Sequence, residues 1–368
     1  MNKQTKTLQV RVKDRHVAIL ERMAFEVNQV WNLANEASYE AWHVPVPEVG
    51  YIKGVWLSAF DIQKAILPVR KARDFVIPSH TLQEVVAVHG KSRRQFKKSK
   101  LRWRVSSGSK RSLGWIPFKK GSAKWVNGQV RFAGHHFKVW DSYGLADYAF
   151  RAGSFVQDAR GRWYFSVAVE YQAKLTQSKS SIGIDLGLEA IATDSEGEQL
   201  QARRHYCTLQ QKLCIAQRAG NKTQIKTIHA RIKNRRKDDT HKYTTHLTEK
   251  HGAIFVGNVS SKVLIKTKMA KSVLDAGWGM LKTQLKYKAI ARSVVFEEVN
   301  EAYSTQTCSC CGAIPQSSPK GRAGLGIRHW ICSECGAEHH RDINAAKNIL
   351  AAGGHSRLNG GITPPLGG

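Results

Sequence analysis

Four cysteines toward the carboxyl end of the chain have the spacing of metal ligands. They form two CxxC pairs on either side of residues 312–331: Cys308 with Cys311, and Cys332 with Cys335. Two such pairs supply four thiolates to one tetrahedral zinc ion, and a glycine after each pair suits a turn around a metal. The sequence therefore predicts a structural zinc site, because four thiolates leave no coordination position open. Cys310, inside the first pair, is predicted to be spare.

Two aspartates occupy positions in which acidic side chains commonly bind divalent cations. Asp185 ends the buried strand IGIDLG (182–187), and Asp342 begins the predicted helix 341–350. A buried strand carries an unpaired charge only at a cost, so Asp185 needs a partner. Hydrolysis of a phosphodiester by two magnesium ions requires about three carboxylates around ions roughly 4 Å apart. We interpret Asp185 and Asp342 as two of these ligands; capping of its own helix is the alternative role for Asp342.

The charge of the chain indicates a polyanionic partner. It has 58 Lys and Arg residues against 28 Asp and Glu residues, a formal net charge of +30. A generally basic surface is the alternative, but the cations cluster around Phe96 and Trp103, and nucleic acids bind cations through phosphates and aromatic rings through bases. The candidate phosphate-binding residues are Lys91, Arg93, Arg94, Lys97, Lys98, Arg102 and Arg104, with Arg235 and Arg236 in a later basic stretch.

Local patterns predict the elements that would position these residues. Apolar residues recur at helical spacing from Asp14 to about Trp42, and a second helix is predicted to start after Pro78, with Ser79 as its N-cap. Residues 101–173 change to short β-rich runs, in which Asn127-Gly128 is typical of a hairpin turn, so this segment predicts a small antiparallel barrel or sheet.

From residue 182 onward, strands alternate with helices, which predicts an α/β layer fold. The predicted strands are 182–187, an antiparallel strand with its turn in LEAIATDSEGE (188–198), 253–259 and 293–300. A basic helical hairpin (202–250) precedes the third of these strands, and a helix (272–289) precedes the last.

Four segments resemble the TnpB/OrfB proteins of bacterial insertion sequences, which are relatives of the type V CRISPR effector nucleases. They are GIDLGLEAIAT (183–193), EAYSTQTCSCCG (301–312), RHWICSECGAEHHRDINAAKNIL (328–350) and PSHTLQ (78–83). The resemblance covers nearly the whole chain and is most specific in the carboxy-terminal half. It implies an RNA-guided DNA endonuclease encoded by a transposon, in which base pairing reads the target and side chains read a short adjacent motif.

The resemblance also implies the fold class: an RNase H-like (RuvC-type) α/β nuclease domain with a zinc-ribbon insertion, a wedge-type β-barrel and a helical recognition lobe. The expected boundaries are 1–13 for the first barrel strand, 14–100 for the recognition lobe, 101–173 for the barrel, 174–181 for a linker, 182–306 for the nuclease domain, 307–336 for the zinc ribbon that binds target nucleic acid, 337–352 for the last nuclease helix and 353–368 for a disordered tail.

The third carboxylate of the expected nuclease site departs from the family pattern. Most relatives carry a glutamate at the end of the strand that matches AIFVGNV (253–259), but Gly257 and Asn258 stand here. Neighbouring strands lie about 4.8 Å apart, so a glutamate from the next strand end could reach the same ions. Some branches of the family look similar, and we place the role on Glu301. Glu297 and Glu298 are the alternatives.

Three further positions depend on the resemblance. His340 stands where relatives more often have aspartate, and because Arg341 and Asp342 remain, we expect it to support the site at most. A role as zinc ligand is the alternative, but four thiolates already close the zinc site. In relatives, the helix from Ser79 helps to recognise the motif beside the target, so Ser79 and Gln83 are candidates for contacts with base edges. Helix capping and surface polarity are the alternative for these two.

Three classes of function remain open. The first is an active RNA-guided endonuclease with one structural Zn²⁺ and two catalytic Mg²⁺ ions. The second is a nuclease-inactive, RNA-guided DNA-binding repressor, which Gly257 motivates. The third is a transposition accessory or DNA-binding protein that needs no RNA. A guide supplied by a CRISPR array would instead make the chain a compact type V effector, but its short length favours the transposon setting.

The expected partners are a transposon-derived guide RNA and double-stranded target DNA, bound by a monomer or a weak dimer that holds one RNA. No run approaches the roughly 20 apolar residues of a membrane span, and no signal peptide opens the chain. Seven cysteines, four of them assigned to a metal, fit a reducing compartment. We therefore expect a protein of the bacterial cytoplasm that is associated with the nucleoid and not with a membrane.

Overall fold

The structure is a computed structural model that describes residues 3–46, 50–259, 264–321 and 323–354. The chain forms two compact units, Met1–Gln172 and Ala173–Gly368. The division falls just before the predicted linker 174–181. Most of the predicted carboxy-terminal tail, from residue 355 onward, lies outside the described residues. No helix of the described ranges is long and apolar enough to cross a membrane.

Three helices form the helical part of the first unit. They are α1 (Val17–Trp42), which a 3-10 turn precedes at Asp14–His16, α2 (Ala59–Ala72) and α3 (Ser79–Phe96). The predicted long helix is therefore present, and its apolar stripe, including Leu20, Val27 and Val30, is buried. The predicted N-cap of α3 is wrong by one residue: Pro78 is the cap, and no side chain caps the helix. A short hairpin, β2 (His43–Val46) with β3 (Gly50–Lys53), joins α1 to α2.

Besides the β2-β3 hairpin, the described strands of the first unit form two antiparallel sheets. The larger has the order β4-β9-β10-β1-β8, with β4 at Trp115–Phe118, β9 at Phe150–Gln157, β10 at Trp163–Gln172, β1 at Lys3–Val12 and β8 at Val139–Trp140. The smaller contains β5 (Lys124–Val126), β6 (Gln129–Phe132) and β7 (His135–Phe137).

The β-rich segment is confirmed as antiparallel sheet but not as a closed barrel. Asn127 and Gly128 have φ values of 48° and 72°, so the predicted hairpin turn between β5 and β6 is present. The five-stranded sheet ends at β4 on one side and at β8 on the other, and no pairing among the described residues joins these edges. A cluster of buried phenylalanine rings, including Phe118, Phe155 and Phe165, forms its core.

A mixed five-stranded sheet forms the centre of the second unit. Its order is β13-β12-β11-β14-β15, with β11 at Ser181–Asp185, β12 at Ala190–Asp194, β13 at Gln199–Gln201, β14 at Ala253–Gly257 and β15 at Val295–Val299. Strand β12 is antiparallel to both of its neighbours, β11 and β13, whereas β11, β14 and β15 run parallel to one another. The strands predicted in this half of the chain are therefore present, and the carboxyl ends of the three parallel ones lie at one edge of the sheet.

The helices of the second unit follow the predicted alternation with one difference. They are α4 (His205–Arg218), α5 (Lys222–Lys250), α6 (Ala270–Ala276), α7 (Trp278–Arg292) and α8 (Arg341–Ala352). The helix predicted over 272–289 is divided at Gly277, whose φ of 69° lies in the left-handed region. Helix α8 lies directly on β11 because Gly183 has no side chain: a Cβ there would stand 2.1 Å from the Ala346 carbonyl oxygen.

The segment between β15 and α8 carries the cysteine pairs. It contains the hairpin of β16 (His329–Ile331) with β17 (Glu338–His340), and β17 continues into α8 without a break. The cysteine-bearing segment therefore leads directly into α8, with no loop between them.

Candidate active site

The carboxyl ends of three parallel strands meet at one edge of the second sheet. Asp185 is the last residue of β11 and Gly257 the last residue of β14. The register pairs Ile184 with Val256 and Gly257 with Val299, so the three strand ends stand side by side. Residues that follow these strands are thereby brought within reach of the Asp185 carboxyl, as expected where strand ends gather functional groups.

The Asp185 carboxyl lies among like charges. Burial raises the pKa of Asp185 to about 7, and the negative charges of Asp342 and Glu301 act in the same direction. The cation of Arg341 and the backbone N–H of Leu186 oppose this shift only in part. The three carboxyl groups named from the sequence are therefore close enough to repel one another, and a bound cation would relieve that repulsion.

Glu301 occupies the space that a side chain at position 257 would need. A Cβ placed on Gly257 would lie 2.3 Å from Glu301 Oε2 and 3.3 Å from Glu301 Cβ. The two positions are thus alternatives for one volume at the end of β14. Burial raises the pKa of the Glu301 carboxyl. The Lys282 cation and a hydrogen bond from the Val259 backbone N–H lower it, but by less.

The two other acids of this strand end are directed elsewhere. Glu298 accepts a hydrogen bond of 2.8 Å from Lys282 Nζ, and Glu297 is exposed within β15. Of the three glutamates considered, Glu301 is the one whose charge is among the main causes of the raised pKa of Asp185.

An arginine that the sequence analysis did not single out holds Asp342. Arg328 Nη1 donates to both carboxylate oxygens of Asp342, at 2.9 and 3.0 Å, and its Nη2 donates to Glu189. The N-cap of α8 is His340, and no side chain caps this helix. Capping is therefore not what the Asp342 carboxylate does here. Arg328 belongs to the RHW segment quoted above, but its partners lie far from it in sequence, so spacing gave no signal of its role.

The four predicted cysteine ligands come together as a tetrahedral site requires. Their sulfur atoms all lie within 4.8 Å of one another, with 3.7 Å from Cys308 to Cys335 and 3.8 Å from Cys311 to Cys332. A zinc tetrahedron with Zn–S bonds of about 2.3 Å places its sulfurs roughly 3.8 Å apart, so this set of donors fits zinc. Cys310 is exposed and lies outside the group.

Local hydrogen bonds repeat in the two cysteine pairs. Gly312 donates to Cys308 and Gly336 to Cys332, both at 2.9 Å, and these glycines have φ values of 77° and 72°. Burial opposes ionisation of the Cys308 thiol, but hydrogen bonds led by the Cys311 and Cys310 backbone N–H groups lower its pKa to about 6. The lowered pKa of Cys308 favours the thiolate form that binds metal at this position, whereas the pKa values of Cys311 and Cys335 are raised.

A histidine also reaches this cluster, and it is not the one considered from the sequence. His339 Nε2 lies 3.0 Å from Cys308 Sγ. His340 instead forms the N-cap of α8 and packs edge-on against His329, with ring centroids 5.1 Å apart. His340 is therefore not a fifth donor to the cysteine cluster.

Two asparagines of α8 fix the cysteine-bearing segment against the helix that carries Asp342. Asn344 accepts a hydrogen bond from the Ser309 N–H at 2.9 Å and donates to the Thr307 carbonyl at 2.7 Å. Asn348 donates to the Ser304 and Thr307 carbonyls at 2.8 and 2.7 Å. The first cysteine pair and the carboxyl edge are thus held by the same helix.

The basic cluster of the first unit is exposed in part. The predicted phosphate contact of Arg93 is wrong, because this side chain is fully buried and its guanidinium lies 4.2 Å from the centre of the Trp56 ring. A side chain in that position cannot contact phosphate. Arg104 is half-buried and donates to Asn28 at 2.5 Å and to the Leu113 carbonyl at 2.7 Å, so it holds the unit together. The predicted phosphate contacts that are exposed are Lys91, Arg94, Lys97, Lys98 and Arg102.

The remaining candidates differ in their freedom to contact a ligand. Ser79 and Gln83 are both exposed on α3, and Gln83 accepts a hydrogen bond of 3.1 Å from Lys119. Arg235 is exposed on α5, whereas Arg236 is half-buried and forms a 2.7 Å ion pair with Asp275. Arg236 therefore has a partner within its own unit.

Comparison with known proteins gives two matches to family models that follow one another along the second half of the chain. The probable transposase model OrfB_IS605 matches residues 164–267, and the Cas12f1-like TNB domain model matches residues 278–349. The second match includes Glu301, Asp342 and all four clustered cysteines.

Individual proteins with related names also match this chain. A Streptomyces pristinaespiralis protein, provisionally named an RNA-guided DNA endonuclease, is 28% identical over 95% of this chain and 90% of its own length. The similarly named InsQ of Escherichia coli (strain K12) is 29% identical over 54% of this chain and 56% of its own. The Cas12f1 chain of a Cas12f1-sgRNA-target DNA complex superposes with a TM-score of 0.56 at 11% identity, over 95% of this chain and 99% of that one, which shows a shared fold. From these matches, the chain is similar to the OrfB_IS605 transposases over residues 164–267 and to the Cas12f1-like TNB domain over residues 278–349.

Proposed function

We propose that this chain is a transposon-encoded, RNA-guided DNA endonuclease that cuts DNA with Asp185, Glu301 and Asp342. The observation that carries the proposal is the convergence of these three carboxyl groups at one sheet edge, with Glu301 in the volume left free by Gly257. The two relatives described above carry names of the same activity over most or about half of their length.

The topology of the second unit supports an RNase H-like, RuvC-type domain. Strands β11, β12 and β13 form an antiparallel meander, and β14 and β15 run parallel to β11. Helix α8 packs on β11. In open sheets of this kind, functional groups collect beyond the carboxyl ends of the parallel strands. The cysteine-bearing segment then corresponds to a zinc-ribbon insertion that binds target nucleic acid.

The donor set suits magnesium. Carboxylate oxygens are hard ligands of the kind that Mg²⁺ prefers. Burial and the charges of Asp342 and Glu301 raise the pKa of Asp185, although Arg328 binds Asp342 and Lys282 acts on Glu301. Two bound Mg²⁺ ions would supply an activated water and stabilise the leaving oxygen. The protein fixes the carboxylates for this purpose: β11 places Asp185, the turn after β15 places Glu301, and Arg328 orients Asp342.

The exposed cations of the first unit support a nucleic-acid partner. We assign Lys91, Arg94, Lys97, Lys98 and Arg102 to phosphate contacts, and Ser79 and Gln83 to the short motif beside the target. On α5, Arg235 is exposed in the same way. Such contacts predict binding that weakens as salt rises, because each neutralised phosphate releases counterions. The partners are a guide RNA and double-stranded DNA in the bacterial cytoplasm.

A nuclease-inactive, RNA-guided repressor is the second candidate, and Gly257 is the observation that favours it. The position of Glu301 argues against it, because that carboxylate restores an acid to the same volume. The two functions share every contact outside the carboxyl edge, so cleavage itself must distinguish them.

The test begins with the protein co-expressed with RNA from its own locus and purified as a complex. A supercoiled plasmid with the guide-matched target and a randomised adjacent motif is then offered with Mg²⁺. Cutting supports the nuclease, whereas guide-dependent binding without cutting across the whole motif library supports the repressor. Recovery of no defined RNA would favour a DNA-binding protein that needs no guide.

A further inference from the structure

A small cavity in the second unit lies beside the loop that carries Asp185. Its volume is about 220 Å³. The polar residues of its wall include Arg204 and Asp275. The apolar residues are Leu188, Ile191, Ala202 and Ala276. Pockets for drug-sized ligands usually measure about 300–1,000 Å³, so this one suits a single ring system rather than a whole cofactor.

Arg204 is held at this cavity in a strained backbone conformation. Its φ is 43° and its ψ is 48°, in the left-handed region that non-glycine residues rarely adopt. Both neighbours contact Asp239: Arg203 forms an ion pair with it at 3.2 Å, and His205 Nε2 lies 2.6 Å from its carboxylate. Among the ion pairs of the described ranges, the exposed Arg204 guanidinium has no partner of its own.

The carboxylate in the wall is already neutralised. Asp275 accepts a 2.7 Å hydrogen bond from Arg236 and a 3.2 Å hydrogen bond from the backbone N–H of Tyr206. The charge left over at the cavity is therefore that of Arg204, which favours an anionic group next to an apolar ring.

The cavity and the carboxyl edge share one loop. Leu188 lies between Asp185 and Glu189, and Glu189 is bound by the arginine that holds Asp342. The Trp278 indole N–H donates to the Gly187 carbonyl at 3.2 Å, which fixes this loop against α7. A group seated against Leu188 is therefore placed relative to the catalytic carboxylates.

We propose that this cavity accepts one unstacked nucleobase of the DNA strand that enters the carboxylate site, with Arg204 on the adjacent phosphate. The proposal rests on the proposed function. An apolar wall accepts the face of any base without reading its sequence, and an exposed guanidinium with no ion-pair partner in the described part of the chain can bind a pair of phosphate oxygens. The cavity thus sets the position of the strand relative to Asp185 after the base pairs have opened.

The test scans a single abasic nucleotide along the cleaved strand near the cut and measures the single-turnover cleavage rate of the purified complex. One position is expected to lose about tenfold, the size of effect that one lost base contact gives. In Ala276→Leu, which fills the cavity, intact DNA is expected to lose a similar factor and the abasic nucleotide to cost nothing further. Ala219→Leu, on the exposed end of α4, is the matched control.

Two additional measurements keep the outcome clear. If Ala276→Leu lowers the melting temperature, Ser272→Leu at the exposed rim replaces it. In the Asp185→Asn complex, the fluorescence of 2-aminopurine at the sensitive position should rise on target binding, and this rise should be lost when Ala276→Leu fills the cavity. Because this measurement needs no cleavage, failure to cut DNA overturns only the proposed function. Cleavage with equal rates at every abasic position, or a sensitive position that survives filling of the cavity, overturns the base site. A loss of guide RNA on filling would assign the cavity to RNA and overturn it as well.

Discussion

The cysteine cluster and the carboxyl edge of the second unit are built on opposite principles. Each cysteine pair repeats the same turn, with Cys308 N–H donating to Ala313 at 2.8 Å and Cys332 N–H to Ala337 at 2.9 Å. The carboxyl edge takes its acids from positions 185, 301 and 342, which only the sheet and α8 bring together. Local spacing therefore specifies the first site, whereas topology specifies the second.

This difference determines how each site tolerates change. The position of each cysteine ligand is fixed by the turn of its own CxxC pair, because backbone hydrogen bonds around a positive-φ glycine close that turn. An acid at the sheet edge can come from a different strand end, provided that its oxygen reaches the same volume. The proposed exchange between positions 257 and 301 rests on such a shared volume, because a Cβ at Gly257 would lie 2.3 Å from Glu301 Oε2.

Glu301→Gln is the change with the largest expected effect on that comparison. We expect cleavage to fall at least about a thousandfold, since a lost metal ligand removes several kcal/mol of transition-state stabilisation. Guide RNA and target DNA should remain bound, which filter binding or mobility shift would measure. Glu297→Gln, an exposed acid of the same strand, is the matched control and should stay within about twofold of the wild type. An intact cleavage rate in Glu301→Gln contradicts the exchange of positions.

Moving the acid back to position 257 sharpens the test. Gly257→Glu alone should be poorly active and less stable, because the new side chain would meet Glu301 Oε2 about where its Cβ must stand. In Gly257→Glu with Glu301→Ala, the volume is free again, and cleavage should recover at least about tenfold over Glu301→Ala alone. Cleavage rates and melting temperatures of the four proteins form a double-mutant cycle. Additive effects would show that the two positions do not share one site.

The same contrast explains what the sequence could and could not predict. The cysteine ligands, the Asn127-Gly128 turn and the strands of the second sheet follow from local pattern, and the structure contains them. Glu301 could be named only because the resemblance showed that an acid was missing at Gly257. Arg93 was misplaced on the surface because helical periodicity does not reveal that Trp56, from another segment, covers its guanidinium.

The cysteine cluster gives the next largest effect. We expect one zinc per chain in the wild type and in Cys310→Ser, and loss of zinc in Cys332→Ser, as metal analysis of the purified proteins would show. Cleavage by Cys332→Ser should fall about 10- to 100-fold, because the hairpin that positions Arg328 loses its metal. Its melting temperature should fall by several degrees. Full cleavage by a zinc-free protein would show that the two sites are independent.

Arg328→Lys tests the point where the two sites meet. Arg328 Nη1 donates to both oxygens of Asp342 while Nη2 donates to Glu189, and the single ammonium of a lysine cannot reproduce this fixed spacing of two nitrogens. We expect cleavage to fall about tenfold while zinc content and RNA binding stay unchanged, because the charge and the ribbon remain. Arg292→Lys, which changes an ion pair with Glu249 away from the sheet edge, is the control. A raised magnesium requirement in Arg328→Lys alone would show that the guanidinium orients a metal-binding carboxylate, whereas an equal loss in both variants would reduce Arg328 to a stabilising ion pair.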